Sequence, residues 1–312
     1  MVKKEYDQRS YIHPEKIIQM IIVKLMGGLG NQMFQYAFGR VLALKHRTEL
    51  QLDTSFLQDD TNGHTIRNFQ LDRFNIKASI ASIDRLKRCK RNKSGKLWNM
   101  VLFYLPFKTK DLYIREPFFH FFKKALDAPA NSYIDGYWQS EKYFKSIREE
   151  LIKDFTPVRS FSLETMILAD KIKVSQSVSI HVRRGDYITD AINIKRFEVC
   201  GETYYMQAMN TIVSKITDPS FFIFSDEPEW FKKNIRTTFP VEYVTHNTGA
   251  NSYEDMYLMS LCKHNIIANS SFSWWGAWLN RNKEKIVIAP KNWFKNNAKN
   301  SKDLLPQTWI QL

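Results

Sequence analysis

Two adjacent arginines are the residues of this sequence whose type and setting point most directly to chemistry. Arg183 and Arg184 belong to the sequence HVRRGDY at residues 181–187, at the predicted end of a strand. Their guanidinium groups present a planar fork of donors that matches phosphate oxygens, and a core tolerates them poorly without an anionic partner. The pattern predicts phosphate binding by at least one arginine. A structural ion pair between Arg184 and Asp186 is the alternative.

A glycine turn near the start of the chain is a second candidate. Its sequence, GGLGNQM at residues 27–33, includes Gly28, Gly30 and Asn31 and leads into a predicted helix. Helix N-terminal N–H groups favour anions. The turn is not the dinucleotide fingerprint, because Met33 replaces the third glycine, and it is not a Walker motif. Close backbone packing explains it as well as ligand binding does.

Two further polar turns follow predicted strands in the second half of the chain. The sequence FSDE ends with Asp226 and Glu227, and the sequence NSSFSWWG contains Ser271 and Ser273. Hydroxyls and free N–H groups at a helix N-terminus can hold an anion, whereas helix capping and tryptophan packing would explain the same residues structurally. Since ligands of open α/β sheets bind at the carboxyl ends of the strands, these turns and HVRRGDY are expected to share a site.

The elements that position these turns alternate between strand and helix. A predicted strand at 21–25, a helix at 31–46 and a strand at 49–53 form one β–α–β unit. A helix-like stretch follows at 143–155, and a second alternating series runs over 177–289.

The predicted fold class is therefore α/β, with two Rossmann-like halves. Pro157 marks the break between them, so the expected domains are residues 20–156 and 157–312. Residues 1–19 are interpreted as an N-terminal extension, and Met20 is an alternative start of the chain.

The composition is that of a globular but strongly basic protein. The 312 residues include 46 Lys and Arg against 32 Asp and Glu, a formal net charge of +14. An apolar content of 44% and an aromatic content of 14% exclude a disordered chain. The charge alone leaves nucleic acid or an anionic surface open as a partner.

The cysteines and histidines show no pattern of a disulfide framework or a metal site. Cys89, Cys200 and Cys262 are few and scattered, which favours a reducing compartment. The seven histidines cluster neither with one another nor with cysteine. We expect that a bound diphosphate would be neutralised by arginine and backbone dipoles, with no metal.

No segment of the sequence predicts a signal peptide or a membrane span. The most apolar stretches, 17–26 and 97–107, are shorter than the roughly 20 residues that a span requires. Residues 85–96 carry seven Lys or Arg and no acid. A solvated insertion would explain them, and a peripheral contact of residues 85–107 with an anionic membrane is the sharper prediction.

Five segments together resemble the α-1,2-fucosyltransferases of glycosyltransferase family 11, and their order and approximate spacing match too. The last segment and the HxRRGD element are the most specific. The segments are GGLGNQMFQYAFG (27–39), DGYWQSEKYF (135–144), HVRRGDY (181–187), FSDEPEW (224–230) and SYEDMYLMSLCKHNIIANSSFSWWGAWLN (252–280).

The resemblance implies a GT-B fold, in which two Rossmann-like domains face each other across a cleft. Residues 20–156 would be the acceptor side, and residues 157–312 would bind GDP-fucose. The implied reaction is an inverting, metal-independent transfer of L-fucose from GDP-β-L-fucose to the 2-OH of an acceptor sugar, often a galactoside, in the synthesis of a surface glycan such as an O-antigen. Animal members carry a membrane anchor that this sequence lacks, so a bacterial cytoplasmic enzyme is expected, peripheral at most.

The resemblance also implies roles for single residues. Arg183 would bind the diphosphate and be essential, while Arg184 would be more structural. His181 and Asp255 would contact the nucleoside. Ser271, Ser273 and the glycine turn with Gly28, Gly30 and Asn31 would contact the substrates as well. From their places at the strand ends, Arg184, Asp186 and Asp226 are also expected to bind substrate.

An inverting displacement needs a group that takes the acceptor proton, and a carboxylate is the natural candidate. Asp190, Glu198 and Glu202 all lie downstream of the HVRRGDY turn, and the residues do not choose between them. Together with Arg183, Glu198 and Glu202 are the candidate catalytic residues.

Two other functions remain as alternatives. One is another GDP-sugar-dependent transferase of the same fold. The other is a basic nucleic-acid-binding protein, which is disfavoured because RNA-binding motifs are absent and the basic run lies outside the strand-end motifs.

Overall fold

The chain folds into two α/β halves, each built around a parallel sheet, as the sequence predicts. A computed structural model describes residues 19–58, 66–91, 112–295 and 300–312. Nearly all of the predicted extension and the whole apolar stretch at 97–107 lie outside the described residues. Within the described ranges, no helix combines the length and the apolar composition needed to cross a membrane.

The described residues of the first half form five strands and the helices around them. Its strands are β1 Met20–Lys24, β2 Glu49–Asp53, β3 Ser79–Ile80, β4 Leu112–Arg115 and β5 Ser132–Asp135. Its helices are α1 Leu29–His46, α2 Ile83–Arg91 and α3 Arg148–Asp154, with short 3-10 turns at Leu71–Arg73, Lys123–Asp127, Glu141–Tyr143 and Lys145–Ile147.

In the second half, the residues that the structure describes form six strands. They are β6 Gln176–Val182, β7 Pro219–Ser225, β8 Val241–Val244, β9 His264–Ile266, β10 Val287–Ala289 and β11 Ile310–Gln311. The helices are α4 Leu163–Val174, α5 Gly185–Thr189, α6 Ala191–Arg196, α7 Glu202–Val213, α8 Pro228–Asn234, α9 Ser252–Leu261 and α10 Ser271–Leu279, with a 3-10 turn at Gly249–Asn251.

The strand orders decide which turns meet. The first sheet has the order β3-β2-β1-β5-β4 and the second β11-β10-β9-β6-β7-β8. In the second sheet the register places Val182 opposite Ser225 at the carboxyl ends of β6 and β7. The HVRRGDY and FSDE turns are therefore neighbours, and the turn after β9 lies on the other side of β6.

The predicted helix-like stretch at 143–155 is wrong in its extent, because two 3-10 turns precede the short helix α3. The helix α4 was not predicted. Its apolar residues lie on both faces: Leu168 is buried while Leu163 and Met166 are exposed, and this removes the amphipathic signal. The predicted boundary between residues 156 and 157 stays a prediction.

An aromatic core joins the two halves. In α10, Trp274 and Trp275 are completely buried, and their rings lie 4.4 and 5.0 Å from that of Phe34 in α1. The indole N–H of Trp275 donates to the carbonyl of Gly30 at 2.9 Å. The helix that follows the serine-rich turn thus holds the glycine turn of the other half directly beside it.

The basic helix α2 packs on the first sheet. Lys90 forms an ion pair with the buried Asp53 at 2.9 Å, and Arg85 lies 3.5 Å from the side-chain oxygen of Gln51. These two cations of the basic run have partners within the fold. The membrane contact expected of residues 85–107 stays a prediction.

Candidate functional site

Arg183 lies just beyond the carboxyl end of β6 and is held by two carboxylates. Its Nη2 is 2.6 Å from Asp186 Oδ1 and its Nη1 is 3.0 Å from Asp226 Oδ2. The guanidinium also lies 5.7 Å from the ring centre of Tyr187. About a third of the side chain stays exposed, so the group is both oriented and accessible.

Arg184 has different partners. Its Nε lies 3.2 Å from Glu227 Oε2, and its guanidinium stacks over Trp230 at 4.3 Å. The sequence alternative of an ion pair between Arg184 and Asp186 is wrong, because Asp186 pairs with Arg183 instead. A mainly structural position for Arg184 agrees with its lower exposure of 17%.

Asp226 ties the two strand-end turns together. Its Oδ1 accepts the main-chain N–H of Arg184 at 3.0 Å, while Oδ2 pairs with Arg183. A β-carbon at Gly185 would lie 2.7 Å from Asp226 Oδ2, which explains the glycine after the two arginines. Asp186 and Asp226 act here as holders of Arg183, and their expected substrate contacts stay predictions.

The serine-rich turn follows β9. Ser270 caps α10 by accepting the N–H of Phe272, so Ser271 starts the helix. Ser273 is completely buried, and its hydroxyl donates to the main-chain carbonyls of Ala268 and Ser270. The structural explanation by capping and tryptophan packing is therefore observed. Phosphate contacts of Ser271 and Ser273 stay predictions, and the burial of Ser273 argues against its own.

Asn269 is a residue whose structural role sequence reasoning missed. It is completely buried, and its amide donates to the carbonyls of Glu198 and Trp293 at 2.6 and 3.0 Å. Its own carbonyl accepts the hydroxyl of Tyr187 at 3.0 Å. The signal that the sequence offered was an asparagine directly after a predicted strand. Asn269 fastens the loop that carries Tyr187 and Glu198 to the serine-rich turn.

The glycine turn meets this site from the first half. A β-carbon at Gly30 would lie 2.5 Å from the main chain of Ser271, so only glycine allows the two halves to approach here. At Gly28 a β-carbon would have open space. Asn31 Oδ1 accepts from Gln139 Nε2 at 2.7 Å, and a β-carbon at Gly27 would lie 2.4 Å from Asn31 Nδ2. Ligand contacts of Gly28, Gly30 and Asn31 stay predictions.

His181 is the penultimate residue of β6 and is almost fully buried. Burial, with a smaller contribution from Arg183, lowers its pKa to about 3, so the ring is neutral at physiological pH. Among the described residues its Nδ1 has no hydrogen-bond partner. A buried ring nitrogen without a partner is costly, and a nucleoside contact at this position stays a prediction.

Asp255 belongs to a separate polar group near the end of β8. Asn247 donates to its Oδ1 at 2.9 Å, and Thr165 connects Asn247 with His246. Burial raises the pKa of Asp255 to about 7, although the hydrogen bond from Asn247 acts in the opposite direction. The structure gives no direct contact between this group and Arg183.

The three carboxylates considered as proton acceptors differ in their surroundings. Asp190 caps α6 by accepting the N–H groups of Ile192 and Asn193, both at 2.9 Å. Glu198 and Glu202 are exposed, and Glu202 lies in the first turn of α7. A capping carboxylate is already occupied by its helix, which favours Glu198 and Glu202, and their catalytic roles stay predictions.

In the described ranges, His, Cys, Asp and Glu form no cluster of three or more that would hold a metal ion. The expectation of metal-independent chemistry stays a prediction.

The comparison with protein families decides the identity. The model of Glycosyl transferase family 11 matches residues 3–312. The chain belongs to this family. It is a glycosyltransferase with the GT-B fold, and its Arg183 turn and serine-rich turn come from the segments that carry the family resemblance.

Relatives and a solved structure support this assignment. An α-1,2-colitosyltransferase of Escherichia coli is 34% identical, with 95% of this chain and 99% of that protein covered. An O-antigen biosynthesis glycosyltransferase of the same species, WbnK, is 36% identical over 92% and 99%. The structure of an Arabidopsis thaliana FUT1 variant in complex with GDP matches with a TM-score of 0.51 at 12% identity, covering 92% of this chain and 74% of that one. At this identity the structure supports the fold alone.

Proposed function

We propose that this glycosyltransferase moves L-fucose from GDP-β-L-fucose to the 2-OH of an acceptor sugar, a galactoside, with inversion at the anomeric carbon. The observation that carries the proposal is the geometry around Arg183. An arginine fork lies at the carboxyl ends of parallel strands, is oriented by Asp186 and Asp226 and stays partly exposed. An arginine in this position can bind a diphosphate and stabilise the charge that develops on it.

The donor would lie along the carboxyl edge of the second sheet. Its diphosphate would contact Arg183 and main-chain N–H groups at the start of α10 other than that of Phe272, which Ser270 caps. Asp255 would accept hydrogen bonds from the guanine N–H groups. It would do so as a carboxylate, so nucleotide binding would favour its ionised form.

The chemical step would be a single displacement. The acceptor 2-oxygen bonds to the anomeric carbon of fucose while the bond from that carbon to the β-phosphate oxygen breaks, and GDP leaves with the electron pair. The acceptor hydroxyl proton passes to a carboxylate, for which Glu198 and Glu202 are the candidates. Arg183 stabilises the leaving diphosphate, and no metal is required.

One other donor is favoured by a specific observation, the 34% identity to an α-1,2-colitosyltransferase. Colitose lacks the 3-hydroxyl of fucose, so the two donors differ in one polar group. A site built to bind that hydroxyl would discriminate strongly against the deoxy sugar.

The experiment that tests the proposal is a transfer assay with GDP-fucose and GDP-colitose against a panel of galactoside acceptors, with and without EDTA. We expect an α-1,2-linked fucosylated product, identified by NMR, at a rate that EDTA does not change. Faster turnover of GDP-colitose would reassign the donor, and a lack of GDP binding by the purified enzyme would refute the proposal altogether.

We also propose that the enzyme acts in the cytoplasm on a lipid-linked precursor of a surface glycan, with residues 85–107 resting on the anionic inner membrane face. The similarity to an O-antigen glycosyltransferase supports such a precursor. Flotation with anionic vesicles tests the contact. Equal flotation of the wild type and of a variant in which the basic residues of 85–96 are replaced would contradict it.

A further inference from the structure

One arginine of the first half, Arg67, reaches the HVRRGDY turn of the second half. Arg67 Nη2 lies 3.4 Å from Asp186 Oδ2, whose other oxygen holds Arg183. The two arginines are therefore bridged by one carboxylate, although 116 positions separate them in the sequence. Sequence reasoning did not single out Arg67, because it stands in a polar, turn-rich region without any motif.

The position of Arg67 is fixed by its main chain. Its N–H donates to the carbonyl of Leu57 at 2.9 Å. The next residue, Asn68, accepts a hydrogen bond from Gln32 Nε2 at 2.9 Å, and the N–H of Gln70 donates to Gln32 Oε1 at 3.1 Å.

Gln32 is completely buried and also donates to the carbonyl of Gly27 at 3.0 Å. One buried amide thus locks the segment 67–70 against the glycine turn. Since Gly30 in the same turn packs on Ser271, Arg67 is held at a set place relative to the second half.

The local charges explain why a further cation is needed. The cluster contains three arginines and three carboxylates, which are Arg67, Arg183, Arg184, Asp186, Asp226 and Glu227. Their formal charges cancel. A doubly anionic diphosphate would therefore meet no net positive charge in this cluster, and the guanidinium that is held most loosely is the one that can turn most easily from its carboxylate to phosphate oxygens.

Arg67 is the arginine best placed for this exchange. Its pair with Asp186 is the longest in the cluster, at 3.4 Å, and its side chain is the most exposed of the three arginines, at 39%. Arg183 is gripped by two carboxylates, and Arg184 is stacked on Trp230. A long, exposed ion pair is weak, so breaking it costs little.

We infer that Arg67 binds the β-phosphate of the GDP-sugar from the acceptor side of the cleft, a specific contact that rests on the proposed function. Asp186 holds Arg67 near this position in the free enzyme and gives it up when the diphosphate arrives. Because the β-phosphate oxygen is the leaving group, the contact strengthens as negative charge grows there and should affect kcat as well as donor binding.

The test compares GDP with GMP, which lacks the β-phosphate, as ligands of the wild type, Arg67→Gln, Arg67→Lys and Arg281→Gln. Arg281 is a matched control because it is a surface arginine two residues beyond the end of α10, 3.8 Å from Glu149. Isothermal titration calorimetry gives both affinities, a transfer assay gives kcat, and the melting temperature reports the fold.

Arg67→Gln should weaken GDP binding by about tenfold to a hundredfold and leave GMP binding nearly unchanged, as expected for one charge-assisted contact. Arg67→Lys should recover part of the loss, and Arg281→Gln should match the wild type. Equal weakening of GDP and GMP would indicate a merely structural role and overturn the inference, as would unchanged GDP affinity.

If Arg67→Gln unfolds, Arg67→Lys decides: a loss selective for GDP supports the inference, and no loss or an equal loss for both nucleotides contradicts it. Failure of the proposed function itself would look different, because the wild type would then not bind GDP at all.

Discussion

The two sheets carry acidic residues at equivalent places and use them in opposite ways. In the first sheet, Asp53 and Asp135 end β2 and β5, and their side chains are 0% and 7% exposed. In the second, Asp186 and Asp226 follow β6 and β7 and are 28% and 26% exposed. Carboxylates at the ends of the strands are therefore buried in one half and accessible in the other.

The cations and hydroxyls around these carboxylates differ in the same sense. Asp53 is held by Lys90 and the hydroxyl of Tyr133, and Asp135 by Lys24 and the hydroxyl of Tyr113. In the first sheet, tyrosine and lysine side chains cover the two carboxylates, and α2 packs over them. The second group uses arginine, whose remaining donors can still bind a ligand while the carboxylates hold it. The first edge therefore serves the fold, and the second is the edge at which we propose that the chemistry occurs.

The largest expected effect follows from Arg183→Lys. Lysine keeps the charge but cannot bridge Asp186 and Asp226 while presenting a fork to phosphate. We expect kcat to fall by about 100-fold to 1,000-fold, the range seen when one fixed donor to a developing anion is removed. The melting temperature should stay near that of the wild type. Initial-rate transfer assays with GDP-fucose measure the loss of kcat. A variant with the kcat of the wild type would show that Arg183 does not belong to the site.

Lys90→Ala tests the other side of the comparison and should affect stability instead. It leaves the fully buried Asp53 without its cation, which should lower the free energy of unfolding by about 1–3 kcal/mol. The folded fraction should keep its kcat. Urea denaturation measures the change, and Lys87→Ala on the exposed face of the same helix is the matched control. If both variants unfold at the same urea concentration, the ion pair with Asp53 contributes nothing.

The local parts of this architecture could be predicted from the sequence, and the contacts between distant residues could not. The alternation around β1, β6 and β7 is local, and polar residues at strand ends mark the site edge. The carboxylates that pair with Arg183 are determined by the paths of two separate turns. The contact of Trp275 with Gly30 joins residues 245 positions apart, and no local pattern encodes it. The short strands β3 and β11 likewise exist because a neighbouring strand is there to pair with them.

The last expected effect separates the two halves by pH. In the first half, burial raises the pKa of Asp53, but hydrogen bonds from Tyr133, Ser55 and Lys90 outweigh it, and the pKa lies below its ordinary value. Its stabilising contribution is present above the unfolded pKa of about 3.9 and is lost as the pH falls through the folded value. In the second half, burial raises the pKa of Asp255 to about 7.

The sign for Asp255 is therefore reversed: its contribution is fully present below pH of about 3.9 and is lost as the pH rises towards 7. Asp255→Asn keeps the shape of the side chain but cannot ionise. The free energy of unfolding of this variant, relative to that of the wild type, should therefore rise between these pH values and stay constant above them. Asp53→Asn should show the opposite trend, losing least at low pH. Urea titrations that run from below pH of about 3.9 to above pH of about 7 measure both, with the exposed Asp170→Asn as a control. A pH-independent difference between Asp255→Asn and the wild type would mean that Asp255 titrates alike in the folded and unfolded chain, and that its burial beside Asn247 leaves its charge unaffected.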